Sequence, residues 1–152
     1  MNPRKLKFLK AVADYFPSVR AQVQDVCGET NARVSRQLLQ DLVSEKYIGK
    51  TRMEVVSSLG ATAPAYFLLQ KGAEKLAAEV DESYLHLARA TPNWQFLLHW
   101  VKCTDFKIVL DRAIAAQEEV CVGSYLGEWD VNEEGSRIFS LLRKQPRLVC
   151  NF

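Results

Sequence analysis

Arg33, Arg36, Gln37, Gln40 and Ser44 stand three and four residues apart in the stretch NARVSRQLLQDLVSEKYIGKTR, residues 31–52. Residues so spaced share one face of a helix. Their tips are guanidinium, amide and hydroxyl groups, with no acid among them. Arginine can pair in bidentate fashion with a guanine edge, and glutamine with an adenine edge. The chemistry open to this stripe is therefore hydrogen bonding to bases and phosphates. Asp41 lies one position off it. A plain solvated face is the alternative, because arginine and glutamine are good helix formers. The neighbouring elements favour the first reading.

Before the stripe, residues 4–16 place Leu6, Leu9, Val12, Ala13 and Phe16 on one helical face, and Pro17 ends that helix. Ser18 is expected to cap a second helix over 18–27, with Val19, Val23 and Val26 on its inner side. Gly28 suits a helix C-terminus of positive φ, and Thr30 or Asn31 suits the cap of a third helix. That helix is expected over about 32–45, burying Ser35, Leu38, Leu39 and Leu42. Two short helices joined by a turn of about four residues make a helix-turn-helix. YIGKTRMEVV (47–56) and AYFLLQ (65–70) read as strands around the turn-rich SSLGATAP, hence a hairpin wing. A fourth helix follows over 71–80. The expected fold class is α+β: an N-terminal winged helix-turn-helix, then a small α/β segment with one long helix.

In this arrangement the third helix enters the major groove and presents Asn31, Arg33, Arg36, Gln37 and Gln40. Lys50 and Arg52 alternate on one face of the first hairpin strand and would hold phosphates, contacts that orient a protein without reading sequence. The same two charges could instead blunt an edge strand. The hairpin tip, 57–63, has no lysine or arginine, unlike a wing that inserts a basic tip into the minor groove. Arg4, Lys5, Lys7 and Lys10 read as the solvated side of the first helix.

The second unit is placed at residues 81–152, after a DNA-binding unit at 1–80. It has a helical stretch at 82–90 and a long helix that starts at Thr91-Pro92 and runs to about Gln117. EVCVGSYLGEWD (119–130) reads as a strand, VNEEG as a turn, SRIFSLLRK as a short helix or strand, and PRLVCNF as a last strand. Aromatic residues on the long helix suggest a homodimer interface through Trp94, Leu97 and Trp100, the alternative being a core of that segment. Residues 81–152 could also hold a protein partner.

No enzyme, cofactor or metal is expected. The chain has two histidines, and His99 and Asp105, six apart, cannot form a dyad within one straight helix. Glu128 and Asp130 could share a strand face, but a metal-dependent nuclease needs further ligands and usually a lysine. No glycine-rich phosphate loop and no G-x-S-x-G occurs. Cys27, Cys103, Cys121 and Cys150 include no C-x-x-C pair, so reduced and mostly buried thiols are expected. Apolar residues are 48% and charged residues 25%, ordinary globular usage. Net charge is +2, divided as +4 over residues 1–80 (12 basic, 8 acidic) and −2 over 81–152 (8 basic, 10 acidic). That asymmetry permits a local anionic partner. No apolar run reaches the ~18 residues of a membrane span. The basic N-terminal stretch superficially looks like a signal peptide, but Lys10 and Asp14 break its apolar part, so a cytoplasmic protein is expected.

The segments VSRQLLQDLVSEKYIGK and AYFLLQKGAEKLA resemble the winged helix of the plasmid replication-relaxation family. HWVKCTDFKIVLDRAIA, from His99, is similar to that family's histidine-led helix, and VGSYLGEWD to its strand ending in a Glu/Trp stretch. The resemblance spans roughly residues 20–130. It implies DNA binding in plasmid replication, relaxation or mobilisation, carried by Arg33, Arg36, Gln37 and Gln40. The expected partner is double-stranded DNA, bound for transcription regulation or mobile-element replication. The alternatives are a winged-helix protein-interaction module and a truncated nuclease-like protein.

Overall fold

The computed structural model describes residues 1–52 and 63–117, apart from the side chain of Trp94. Its elements in chain order are α1 (Pro3–Asp14), β1 (Ser18–Val19), α2 (Arg20–Val26), α3 (Ala32–Ser44), β2 (Ile48–Thr51), β3 (Ala65–Leu68), α4 (Gln70–Glu79), a 3-10 helix (Glu82–Leu87) and α5 (Trp94–Ala115). The architecture is α+β, with helices around a small antiparallel sheet of order β1-β3-β2. The expected hairpin turn falls partly in 53–62, outside the described residues. So do the strands and short helix expected after residue 118, with Cys121, Glu128, Asp130 and Cys150.

Helix starts follow local chemistry. Asn2 caps α1, accepting from the Arg4 amide at 2.9 Å, and Pro3 fills a first-turn position that needs no amide hydrogen. Asn93 caps α5 by accepting from the Gln95 amide at 3.1 Å. The long helix therefore starts at Trp94 and not at Pro92. Ser18 does not cap α2; it enters the sheet opposite Tyr66. The exposed end of α2 is completed by Gln22, whose Oε1 accepts from the Val19 amide at 2.8 Å. The expected helix at 82–90 is a shorter 3-10 helix, with Asp81 accepting from the Ser83 amide.

The sheet separates two packed layers. Register pairs Ile48 with Leu68 and Lys50 with Tyr66, and these point to one face. There Ile48, Tyr66 and Leu68 join Leu9 and Val12 of α1, Leu39 and Leu42 of α3, and Leu76 of α4 in the main core. Ala65 and Phe67 point the other way, where Leu97, Trp100 and Val101 of α5 cover them. Gly49 is required on that side: a Cβ there would lie 2.2 Å from the Phe67 ring. Gly72 lets α4 approach the α3–β2 corner, since its Cβ would lie 2.2 Å from the Tyr47 carbonyl oxygen.

Polar side chains lock α5 in place. The Thr104 hydroxyl, fully buried, reaches the Phe16 and Pro17 carbonyls at 3.1 and 2.9 Å. Gln22 Nε2 donates to the Val101 carbonyl at 2.9 Å and to Asp105 at 2.7 Å. Tyr15 donates to Asp111 at 2.8 Å, and Arg112 pairs with Asp25 at 2.8 Å. Packing therefore crosses the expected division at residue 80: the Arg89 amide also bonds the Leu68 carbonyl at 3.0 Å. Leu97 and Trp100, expected at a dimer interface, are instead buried within the chain, because the outer sheet face needs an apolar cover. No helix among the described residues is long and apolar enough to cross a membrane.

Candidate nucleic-acid interface

The third helix runs from Ala32 to Ser44, with Asn31 at its cap. Asn31 Oδ1 accepts from the Arg33 and Val34 amides at 3.0 and 3.3 Å. Its carbonyl oxygen is thus committed to the helix, worth about 1 kcal/mol. Ser35, Leu39 and Leu42 are buried and Leu38 is half-buried, so the inward face is the one expected. Arg33, Arg36, Gln37, Gln40 and Ser44 are all exposed.

That outward stripe divides into two lines. Arg36, Gln40 and Val43 (i, i+4, i+7) face β2. With Lys50, Pro64 and Tyr66 they line a cleft of about 200 Å³. Arg33, Gln37 and Ser44 lie farther round the helix, outside this lining. Gln37 Nε2 donates to Asp41 Oδ1 at 2.8 Å, and the Ser44 hydroxyl donates to the Asp41 carbonyl at 2.9 Å. The acid one position off the stripe therefore reaches it and occupies Gln37. Arg52 is exposed just beyond β2.

Elsewhere among the described residues six cations are held by acids, Lys102 by Asp105 among them. Lys5 pairs with Glu45, Lys10 with Asp14, Lys75 with Glu79, Lys107 with Asp111 and Arg112 with Asp25. Two of the four basic residues on α1 are thus bound to acids; Arg4, Lys7 and Lys10 are exposed, but the Lys5 side chain, 14% exposed beside Glu45, is not on a solvated face. Among the described residues no carboxylate pairs with Arg33, Arg36, Lys50 or Arg52. Among the described residues no acid lines the cleft.

Tyr66 forms the cleft floor and is missing from the sequence expectation. Burial pushes its hydroxyl above the usual tyrosine range, while Arg20 and Arg36 pull it back. The two guanidinium groups are thus close enough for the floor to sense their charge. Strand alternation with Lys50 could have found Tyr66, but only once the β2–β3 register was known. The arrangement offers two cations, one amide and an apolar wall, suited to an anionic oxygen or a base edge.

Among the described residues the other sequence candidates do not gather into a site. Among the described residues no three His, Cys, Asp or Glu side chains come together as metal ligands. Cys27 is buried, Cys103 half-buried, and both are free thiols. His99 Nε2 lies 3.6 Å from Cys103 Sγ, one helical turn away on α5. Their i, i+4 spacing on α5 is the sequence signal of that contact. Cys103 packs on the Phe16, Phe67 and Trp100 cluster. The Trp94 side chain lies outside the described residues.

Comparison of the chain with protein-family models, with curated proteins and with solved structures gave no match. The resemblance to replication-relaxation proteins stands on the segments quoted above alone.

Proposed function

We propose that the chain is a winged-helix protein that binds double-stranded DNA, with α3 in the major groove. One observation carries this reading. Arg36 and Gln40 of α3 and Lys50 of β2 converge on a single cleft that no acid among the described residues lines, while six other cations are paired with acids. The element order α1, β1, α2, α3, β2, β3 supports it. Arg36 and Gln40 meet base edges from the helix side of the cleft. Lys50 and Arg52 hold phosphate, and Arg33 lies nearer the helix start. Gln37 is a weaker reader, because binding a base costs it the bond to Asp41. The biological setting suggested by the resemblance is replication, mobilisation or transcription control on a mobile element.

The test is fluorescence anisotropy with labelled duplex, including the DNA upstream of the coding sequence. Each phosphate contact should steepen the dependence of log affinity on log salt by about 0.9. Arg36→Ala should cost ~1–3 kcal/mol, roughly 5- to 150-fold. Lys50→Ala should weaken all duplexes alike and reduce the salt slope by about 1. Gln37→Ala should have a smaller effect than Arg36→Ala. Absence of binding to any duplex at low salt would sink the proposal and leave the protein-interaction module.

A further inference from the structure

α5 is apolar on both sides. Its inner side buries Leu97, Val101, Thr104 and Ile108. A helix packed on one side only should be polar on the other. Instead Leu98, Phe106 and Val109 are 59, 63 and 64% exposed. At 100° per residue these three and Ala113 fall within an arc of about 80°, opposite Thr104. Single exposed apolar residues need no explanation, but a cluster such as Phe106, Val109 and Ala113 does, with Lys102 on the same arc between it and Leu98.

The stripe has the spacing of a helix–helix seam. His99, Lys102, Phe106, Val109, Ala113 and Ala116 step by three and four in alternation, the 3.5-residue period of paired helices. The N-terminal half of this seam is polar and the C-terminal half apolar. We propose that this face binds a second copy of the chain, the two α5 helices packed antiparallel about a two-fold axis beside residues 107 and 108. Such an interface is isologous, so each contact occurs twice. Phe106 then meets Val109 of the second copy. Lys102 meets Ala113 of the second copy, and His99 meets Ala116.

Charge decides the direction. Parallel pairing would set Lys102 against Lys102, and like charges repel. Antiparallel pairing brings Lys102, a 72% exposed side chain, to the last turn of the other helix, where the backbone dipole is negative and Arg112 is held by Asp25. Ala113 and Ala116 are small enough to admit the long side chains opposite them. The exposed apolar groups offer on the order of 400 Å², about half of what each partner gives to a standard interface of ~800 Å². The lysine stem, Leu110 and the alanines extend it, and the dimer should be of modest strength. This face lies across the sheet from α3, so pairing leaves both clefts open. The inference does not depend on DNA binding.

The test is light scattering of the full chain, without DNA, at about 100 μM, a concentration at which a modest dimer of micromolar dissociation constant is formed. The wild type should run at twice 17.3 kDa. Phe106→Glu and, separately, Val109→Glu should run at 17.3 kDa with unchanged helical circular dichroism. A wild type at 17.3 kDa overturns the proposal whatever the variants do. If such a monomer also loses its helical signal in both variants, the face is covered by the chain's own residues 118–152. A dimer that persists in folded Phe106→Glu and Val109→Glu places the interface elsewhere and also overturns it.

Discussion

Arg36 and Gln37 are adjacent in sequence and both exposed, yet they differ in what they can still bind. Arg36 has no acid partner among the described residues, and Gln37 already holds Asp41. Residue type and spacing put both on one stripe; only the rotamer of a neighbour separates them. Cys27 shows the same limit. Its burial was expected from its type, and it is 6% exposed, its Sγ 3.7 Å from the Lys7 carbonyl oxygen. Burial pushes the thiol up from 9.0 to about 11, with Lys7 opposing and Glu29 adding to the shift. The folded state therefore holds the thiol proton more tightly than the unfolded chain. That contribution to stability is present in full below pH 9 and is lost as pH rises to about 11. Urea midpoints measured across this range should fall more steeply for the wild type than for Cys27→Ala. Equal slopes in the two proteins would remove Cys27 as a cause.

The helices end by two related devices, only one of which announced itself. After α2, Gly28 takes φ +62°, and the Glu29 amide reaches back to the Gln24 carbonyl at 2.9 Å. After α3, Lys46 takes φ +61°, and the Tyr47 amide reaches the Leu42 carbonyl at 3.0 Å. Both are left-handed helix ends in which orphan carbonyls gain a partner. Glycine at 28 signalled the first. Lysine at 46 gave no signal, because a side chain there carries strain of about 1–2 kcal/mol. Lys46→Gly should raise stability by about 0.5–1 kcal/mol, after the extra freedom of glycine in the unfolded chain is offset. Gly28→Ala should lower it by a similar amount. Thermal melts should show shifts of opposite sign, of roughly 2–4 °C per kcal/mol. A loss of stability in Lys46→Gly would show that the lysine side chain makes up for its backbone.

The whole molecule is organised by a sheet with an apolar residue on each face. α1, α3 and α4 cover one side and α5 the other. A division after residue 80 looked natural in the sequence, where composition changes and a new helix begins. Yet α5 buries Leu97, Trp100, Val101 and Ile108. At about 1.5–3 kcal/mol for each side chain, that is comparable to the ~5–15 kcal/mol of a whole domain. A chain ended at Val80 would leave Ala65 and Phe67 without cover, and Phe16 beside them. It should bind a hydrophobic dye and melt without a cooperative transition, whereas the full chain should melt cooperatively. Cooperative melting of the short chain, at the temperature of the full one, would show that α5 is dispensable.

The sequence alone determined what depends on short-range order. Spacing placed α3 and its outward stripe, Asn31 was one of two candidates for its cap, and β-favouring residue types found β2 and β3. These features are set by residues within a turn or two of each other. Tertiary structure decided what depends on residues far apart in the chain. It moved Ser18 from a helix cap into the sheet, turned Leu97 and Trp100 inward, and brought Lys50 and Tyr66 beside Arg36 and Gln40. Both faces of α5 are apolar, so periodicity could not say which would be covered. The sheet chose one, because Ala65 and Phe67 had to be buried and Thr104 and Gln22 could bond only on that side.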